Sequence, residues 1–422
     1  MSSQTASDHC MIPPRPHIEV AQIFRSHGHA YRERHGVTKE QYQAMIDIER
    51  CRTAALGGHV DVCDHKCGYM RISYNSCRNR NCPKCQSLQS ARWLHARLEH
   101  FLPTPHFHVV VTLPHELRHL ILANQRILYT MVFHCASQSL IEMARDRHRL
   151  KAYVGLTAVL HTWSQDMLFH PHLHMLVTAG GLDQSGTQWI ASKDNFLVPV
   201  RGLSKKIQDK FLNELSKAFE KGELAFHTTI QDLQHPKAFA QFLRKLRRKK
   251  WVVYSKAPCG DSNHLFTYLS AYTHRVAISN HRLHEITEEH VTFRARDNHN
   301  PGTKRFVTVS PEEFIRRFLL HVLPSGFMKV RHYGLMASCN AKTKLTLAKR
   351  LIEETLPQGE RSSIPHRPGS DATWQELLQH LTGIDLKLCP QCGTGRLIRH
   401  PLSSIHDENG ISQAEPIFPD SS

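Results

Sequence analysis

The sequence predicts an α+β protein, with a small N-terminal zinc-binding module and a domain whose central antiparallel sheet is flanked by helices. Three observations point there. Strand-like and helical runs are mixed without the βαβα regularity that builds a parallel sheet. A compact cysteine block precedes the first long strand-like run. Two of the later strand-like runs carry histidines, at a spacing that suits a shared sheet face.

The elements follow in order. Residues 1–20 read as a loose tail, since Pro13, Pro14 and Pro16 oppose helix. From 21 to 50 the apolar period is helical, through Ile23, Phe24, Tyr31, Tyr42, Met45 and Ile48. The cysteine block runs from Cys51 to Cys85, and SLQSARWLHARLEH (87–100) is a helix leaving it. FHVVVTLP predicts a strand over 107–113, stopped by Pro114. Residues 117–150 are helical, and strands follow at 156–163 and at 172–181, the second ending in a Gly pair. Helices are predicted at 203–220 and 237–250. WVVYSK and RVAISN (275–280) read as strands bracketing a short helix at 263–273. Ser310 and Pro311 open a helix over 311–322, and the tail from 401 reads as disordered. The domains are therefore expected at 1–50 (tail and helix), 51–92 (zinc module), 93–345 (sheet domain) and 346–422 (C-terminal extension).

Composition narrows the function. Lys and Arg number 54 against 37 Asp and Glu, a formal charge of +17. That surplus favours a polyanionic partner, because neutralising phosphates releases condensed counterions. No stretch reaches the roughly 18 apolar residues of a membrane helix. The opening MSSQTASDHCMIPPRP has no basic n-region and no apolar h-region, so a cytoplasmic chain with no membrane partner is expected. Thiols there stay reduced, so the 12 cysteines read as metal ligands or buried thiols. No Walker loop, Ser-His-Asp set or two-metal carboxylate cluster is visible.

Cys63-x3-Cys67 and Cys82-x2-Cys85 are two tight cysteine pairs. Two turns delivering two sulfurs each meet the tetrahedral demand of structural Zn²⁺. Cys51, His59 and Cys77 lie in the same block and are alternatives, or ligands to a second ion. Arg71, Arg78, Arg80 and Lys84 surround the pairs as candidate phosphate contacts.

His161 is followed by His170-Pro-His172-Leu-His174. Strand residues two apart share a face, roughly 6–7 Å apart, so His172 and His174 can hold one ion while Leu173 enters the core. His170 and His174 would stand about 13 Å apart, too far to share it. The third ligand comes from a neighbouring strand. His161, returned by a hairpin through 164–169, is the first choice, with Gln165 and His170 behind it. In Tyr268-Leu-Ser-Ala-Tyr272 a helical spacing of four puts both phenols on one face, about 5–6 Å apart at Cβ. Two core tyrosines would share that spacing, but a neighbouring metal site favours chemistry. A phenol of pKa about 10 is a poor nucleophile until a cation polarises the phosphate it attacks. Attack expels the 3′ oxygen and leaves a 5′-phosphotyrosine, which keeps the energy of the broken strand for rejoining.

These residues resemble the HUH (His-hydrophobe-His) superfamily of single-strand endonucleases. Within it the chain is similar, from about 51 to 337, to the two-tyrosine transposases of insertion sequence 91 type. The matching stretches are SYNSCRNRNCPKCQ, FHVVVTLPHEL, LHTWSQDMLFHPHLHMLVTAGG, WVVYSKAP, YLSAYTHRVAISNHRL and LPSGFMKVRHYGLMA. The resemblance implies an HUH catalytic domain with Mg²⁺ or Mn²⁺ on His172 and His174, and His161 beside them. It implies Tyr268 and Tyr272 as nucleophiles, one holding a cut strand while the other cuts again. The implied partners are single-stranded DNA at the ends of a mobile element and target DNA, in rolling-circle transposition. The chain departs from the family at Ala271, where Arg is usual, at Asn81, where His is common, and at Cys259, where Phe is common. Arg275 remains to supply positive charge.

The basic run from Arg244 to Lys250, including Arg247 and Arg248, reads as a DNA-backbone contact or as a solvated helix end. Cys389-Pro-Gln-Cys392 reads either as half a zinc knuckle, with no second pair nearby, or as plain thiols. Two alternatives share many of these residues: a plasmid rolling-circle replication initiator or relaxase, and a zinc DNA-binding protein whose catalysis has decayed.

Overall fold

The computed structural model describes residues 16–85, 102–193, 196–259, 276–297, 300, 302–355, 379, 385 and 387–402. The paired-tyrosine segment, with Tyr268, Ala271, Tyr272 and Arg275, and the helix expected over 87–100 lie outside the described residues. The chain forms two compact units, one from 1–86, 279–315 and 365–422, the other from 87–278 and 316–364.

Among the described residues the strands are β1 (Gly58–Cys63), β2 (Met70–Tyr74), β3 (His106–Thr112), β4 (Tyr153–Trp163), β5 (Phe169–Leu182) and β6 (Trp189–Ala191). They continue as β7 (Val252–Cys259), β8 (Leu283–Ile286), β9 (Val291–Arg296), β10 (Lys304–Val309), β11 (Val330–Gly334) and β12 (Leu397–Leu402). All pairings between these strands are antiparallel. The fold is α+β.

In the first unit the helical pattern of 21–50 is two helices, Val20–Arg34 and Lys39–Arg50. The second starts at a capping box. Thr38 Oγ1 accepts from the Gln41 amide at 3.3 Å, and Gln41 Oε1 accepts from the Thr38 amide at 3.0 Å. Ile23, Phe24, Met45 and Ile48 are buried as the period requires, whereas Tyr42 is exposed. Two three-stranded sheets complete the unit, in the orders β12-β1-β2 and β10-β9-β8. Asp61 of β1 is buried and takes Arg71 at 3.0 Å and Arg399 of β12 at 2.8 Å. Burial opposes its ionisation, but the two guanidiniums outweigh that and hold its pKa below the ordinary carboxylate value.

The second unit is built on a sheet of order β11-β4-β5-β3-β7, with β6 added to the end of β5. One face packs on the helices Gln125–Arg145 and Val200–Glu220 through Phe107, Val109 and Val111, then Leu156, Ala158 and Leu160, then Leu173, Met175 and Val177. Strand alternation therefore sends His108, His161, His172 and His174 to the opposite face. The helical stretch of 117–150 breaks at Asn124, whose side chain donates to Leu120 O and Ala225 O and accepts from the Ala225 amide at 2.7 Å.

Two expectations need correction. No strand forms over 276–280, where the Asn280 side chain instead accepts from the Val20 amide at 3.1 Å. The helix opened by Ser310 and Pro311 ends at Leu319, although Ser310 Oγ does accept from the Glu313 amide at 3.2 Å.

Candidate functional site

The cysteines of the first unit gather as two tetrads, and the division differs from the expected set. Cys82 and Cys85 join Cys51 and Cys77, while Cys63 and Cys67 join Cys389 and Cys392. Within each tetrad the sulfurs lie within 4.8 Å of one another. The two pairs expected to share one ion are thus separated. Each is completed by sulfurs supplied from elsewhere in the chain, Cys51 at the end of the helix Lys39–Arg50 and Cys389 and Cys392 just before β12. Sulfur separations of 3.5 Å (Cys51–Cys85) and 3.6 Å (Cys77–Cys85) suit a tetrahedral Zn²⁺ with bonds of about 2.3 Å. The Asn79 amide points at Cys77 Sγ, at 3.5 Å. His59 belongs to neither tetrad and lies 3.8 Å from Asp61.

The cations around this module are in part engaged. Lys84 pairs with Glu19 at 2.5 Å and its side chain is only 14% exposed. That ion pair takes Lys84 out of the expected phosphate-gripping surface. Arg71 is bound to Asp61. Arg78 is exposed and Arg80 half-buried.

In the second unit His161 and His172 face each other across β4 and β5 as a register pair, and His174 stands opposite Val159. The ligand nitrogens of His161, His172 and His174 lie within 4.8 Å of one another. His161 is buried and its ring lies against Trp163, centroid to centroid 4.6 Å. His172 donates from Nδ1 to its neighbour's carbonyl, His170 O, at 2.7 Å, leaving the Nε2 lone pair for a ligand. His174 Nδ1 lies 2.9 Å from Nε2 of His108, a hydrogen bond that orients the His174 ring. Burial pulls the pKa of His172 down to about 4. Burial does the same to His108, helped by Lys256 and His172. Both rings are therefore neutral at pH 7, as metal ligation and its supporting hydrogen bond require. His170 lies outside the cluster and contributes its carbonyl instead.

Three residues near this cluster escape sequence reasoning. His108 sits in a run of valines, and only the β3–β5 register brings it to His174. Lys256 stands opposite His108 on β7, and Tyr254 opposite Val110, which itself faces His174. Directly paired residues share a sheet face, so Tyr254, 57% exposed, lies on the histidine face two strands from His174.

Arg247 and Arg248 end the helix Pro236–Arg248 and are exposed. On that helix an open groove of about 730 Å³ is lined by Gln241, Phe242, Arg244, Lys245, Arg248 and Lys249, among others. Lys249 also pairs with Glu116 at 2.7 Å. Among the described residues no helix is long and apolar enough to cross a membrane.

Comparisons with known proteins point to one family. A family model for "Putative transposase" matches residues 155–343, which include all three clustered histidines and the tyrosine segment. A "Transposase zinc-binding domain" model matches residues 23–113, which include the whole first cysteine tetrad. The chain is 43% identical over 381 residues to "Putative transposase y4qJ" of Sinorhizobium fredii, covering 90% of this chain and 94% of that one. It is 24% identical over 330 residues to "Transposase for insertion sequence element IS801" of Pseudomonas savastanoi pv. phaseolicola, covering 77% of each. No solved structure matches it. The chain belongs to the insertion sequence 91 type of transposases, with a zinc-binding domain at its N-terminal end.

Proposed function

We propose that this transposase nicks and rejoins single-stranded DNA at the ends of a mobile element, using Tyr268 and Tyr272 as nucleophiles beside a divalent cation. The observation that carries this reading is the three-imidazole cluster of His161, His172 and His174 on the sheet face turned away from the helical core. The residues fit a cation: three imidazole nitrogens converge, the His172 Nδ1 is hydrogen-bonded so that its Nε2 faces a ligand, and burial keeps His172 neutral. An all-nitrogen set suits Mn²⁺ better than Mg²⁺, which prefers oxygen ligands. When bound, the ion supplies Lewis-acid polarisation of a phosphate oxygen.

The rest falls to the chain itself. A tyrosine phenol loses its proton and its oxygen bonds to phosphorus. The bond to the 3′ oxygen breaks, and that oxygen takes up a proton. The 5′ phosphate stays on the tyrosine, and the second tyrosine is available for the next cut. Lys256 adds positive charge beside the histidines, and the exposed Tyr254 ring offers a base a stacking surface. The groove of Arg244, Lys245 and Arg248 offers phosphate contacts.

A strand-labelling assay tests the polarity. With Mn²⁺ and single strands carrying the element's ends, the released 5′-side fragment should bear a free 3′ hydroxyl that a polymerase extends. A blocked 3′ end, with a free 5′ end on the other fragment, would rule the reading out.

A further inference from the structure

We propose that Cys63, Cys67, Cys389 and Cys392 form a second structural zinc site that clasps the C-terminal strand onto the N-terminal module. The domain model for zinc binding covers residues 23–113, so it contains two of these ligands and stops far short of the other two. Cys63 Sγ lies 3.7 Å from Cys392 Sγ, and Cys67 Sγ lies 3.5 Å from Cys389 Sγ. A disulfide would need about 2.05 Å. A tetrahedral Zn²⁺ with bonds of about 2.3 Å sets its sulfurs roughly 3.8 Å apart. The observed spacing is that of ligands, and all four cysteines are free thiols.

The surrounding chain is shaped to present them. Cys63 and Cys67 flank a tight turn in which the Lys66 amide donates to Cys63 O at 3.1 Å, with Lys66 and Gly68 at positive φ. Cys389 and Cys392 flank a second turn, closed by the Gly393 amide on Cys389 O at 3.0 Å. The Gly395 amide donates to Cys392 Sγ at 3.2 Å, which favours a thiolate there. A Cβ on Gly395 would stand 2.5 Å from Cys63 Sγ, so a side chain at that position would intrude on the tetrad.

The two turns are also stitched to each other. Gln391 donates to Cys67 O at 2.9 Å, and the Arg396 amide donates to Asp64 Oδ1 at 2.7 Å. Directly beyond, β12 pairs with β1 in unbroken register from Cys63↔Leu397 to Gly58↔Leu402. Metal binding at this tetrad would therefore decide whether β1 keeps β12 as its outer neighbour or exposes that edge. The inference does not rest on the strand-cleavage reading.

The test uses the full chain with Co²⁺ in place of Zn²⁺, washed free of loosely held metal. Thiolate-to-cobalt charge-transfer absorption counts sulfur-ligated ions alone, and the histidine cluster cannot contribute to it. The proposal expects two equivalents per wild-type chain, one for the Cys389→Ser/Cys392→Ser variant, and two again for Cys392→His, which keeps four ligands. A wild-type chain that holds one equivalent, with the double serine variant unchanged, overturns it.

Discussion

His161 of β4 and His172 of β5 are directly opposed in the sheet register, with ring centroids 5.6 Å apart. Backbone pairing on both sides of β5 fixes this geometry before any ligand arrives. A preformed site loses little ordering entropy on binding. His172→Ala should abolish tight Mn²⁺ binding while leaving the circular dichroism of the fold unchanged. Undiminished Mn²⁺ affinity, measured by electron paramagnetic resonance titration, would show that the ion sits elsewhere.

His108 Nε2 stands 2.9 Å from His174 Nδ1 and holds that ring in place. Removing a hydrogen-bond partner of a metal-bound histidine costs about 10–100-fold in affinity. His108→Leu should weaken Mn²⁺ binding by that factor, and His108→Gln, which can still accept from His174, should recover part of it. Equal losses in both variants would point to a packing role alone.

Much of this arrangement was legible from local pattern. The alternation in His172-Leu-His174 and the hairpin that returns His161 both follow from strand geometry. The Ser310 cap was legible because capping is local. What escaped depends on distant partners. Cys67 meets Cys389 across 322 residues, and no spacing rule reaches that far. β12 contains Pro401 and becomes a strand by pairing with β1. The helix breaks at Thr38 and Asn124 lie inside good apolar periods, where one polar side chain outvotes the pattern by capping the backbone. Lys84 counts as a surface cation until Glu19 is folded against it.

His321 is buried, donating from Nε2 to Met167 O (3.0 Å) and accepting at Nδ1 from the Thr162 hydroxyl (3.1 Å), and burial lowers its pKa to about 4 from 6.5. The unfolded chain therefore binds more protons between pH 4 and 6.5. This stability is fully present above pH 6.5 and is lost as the pH falls through that window. At ~1.4 kcal/mol per pK unit the loss reaches about 3 kcal/mol near pH 4. Thermal unfolding should show wild type losing stability from pH 7.5 to 5. His321→Gln should start less stable and fall less steeply. Parallel slopes for the two proteins would refute the assignment.

Arg244, Lys245 and Arg248 line one groove, so their contribution to DNA binding should appear in its salt dependence. Each phosphate contact contributes about 0.7 to the log–log salt slope for single strands and about 0.9 for duplex. The triple alanine variant should bind single strands more weakly, with a slope shallower by about 2 if all three contact phosphates. An unchanged slope would assign the groove to a solvated surface.

Covalent capture of DNA by the paired tyrosines would be visible directly on a gel. Protein is incubated with single-stranded oligonucleotides from the element's ends, in Mn²⁺ and in EDTA, and run on a denaturing protein gel. A slower protein–DNA band should form in Mn²⁺ only, and disappear in Tyr268→Phe/Tyr272→Phe, with peptide mapping placing the nucleotide on one of those tyrosines. Verified binding of the ends without a covalent band, or an undiminished band in the double variant, would contradict the account.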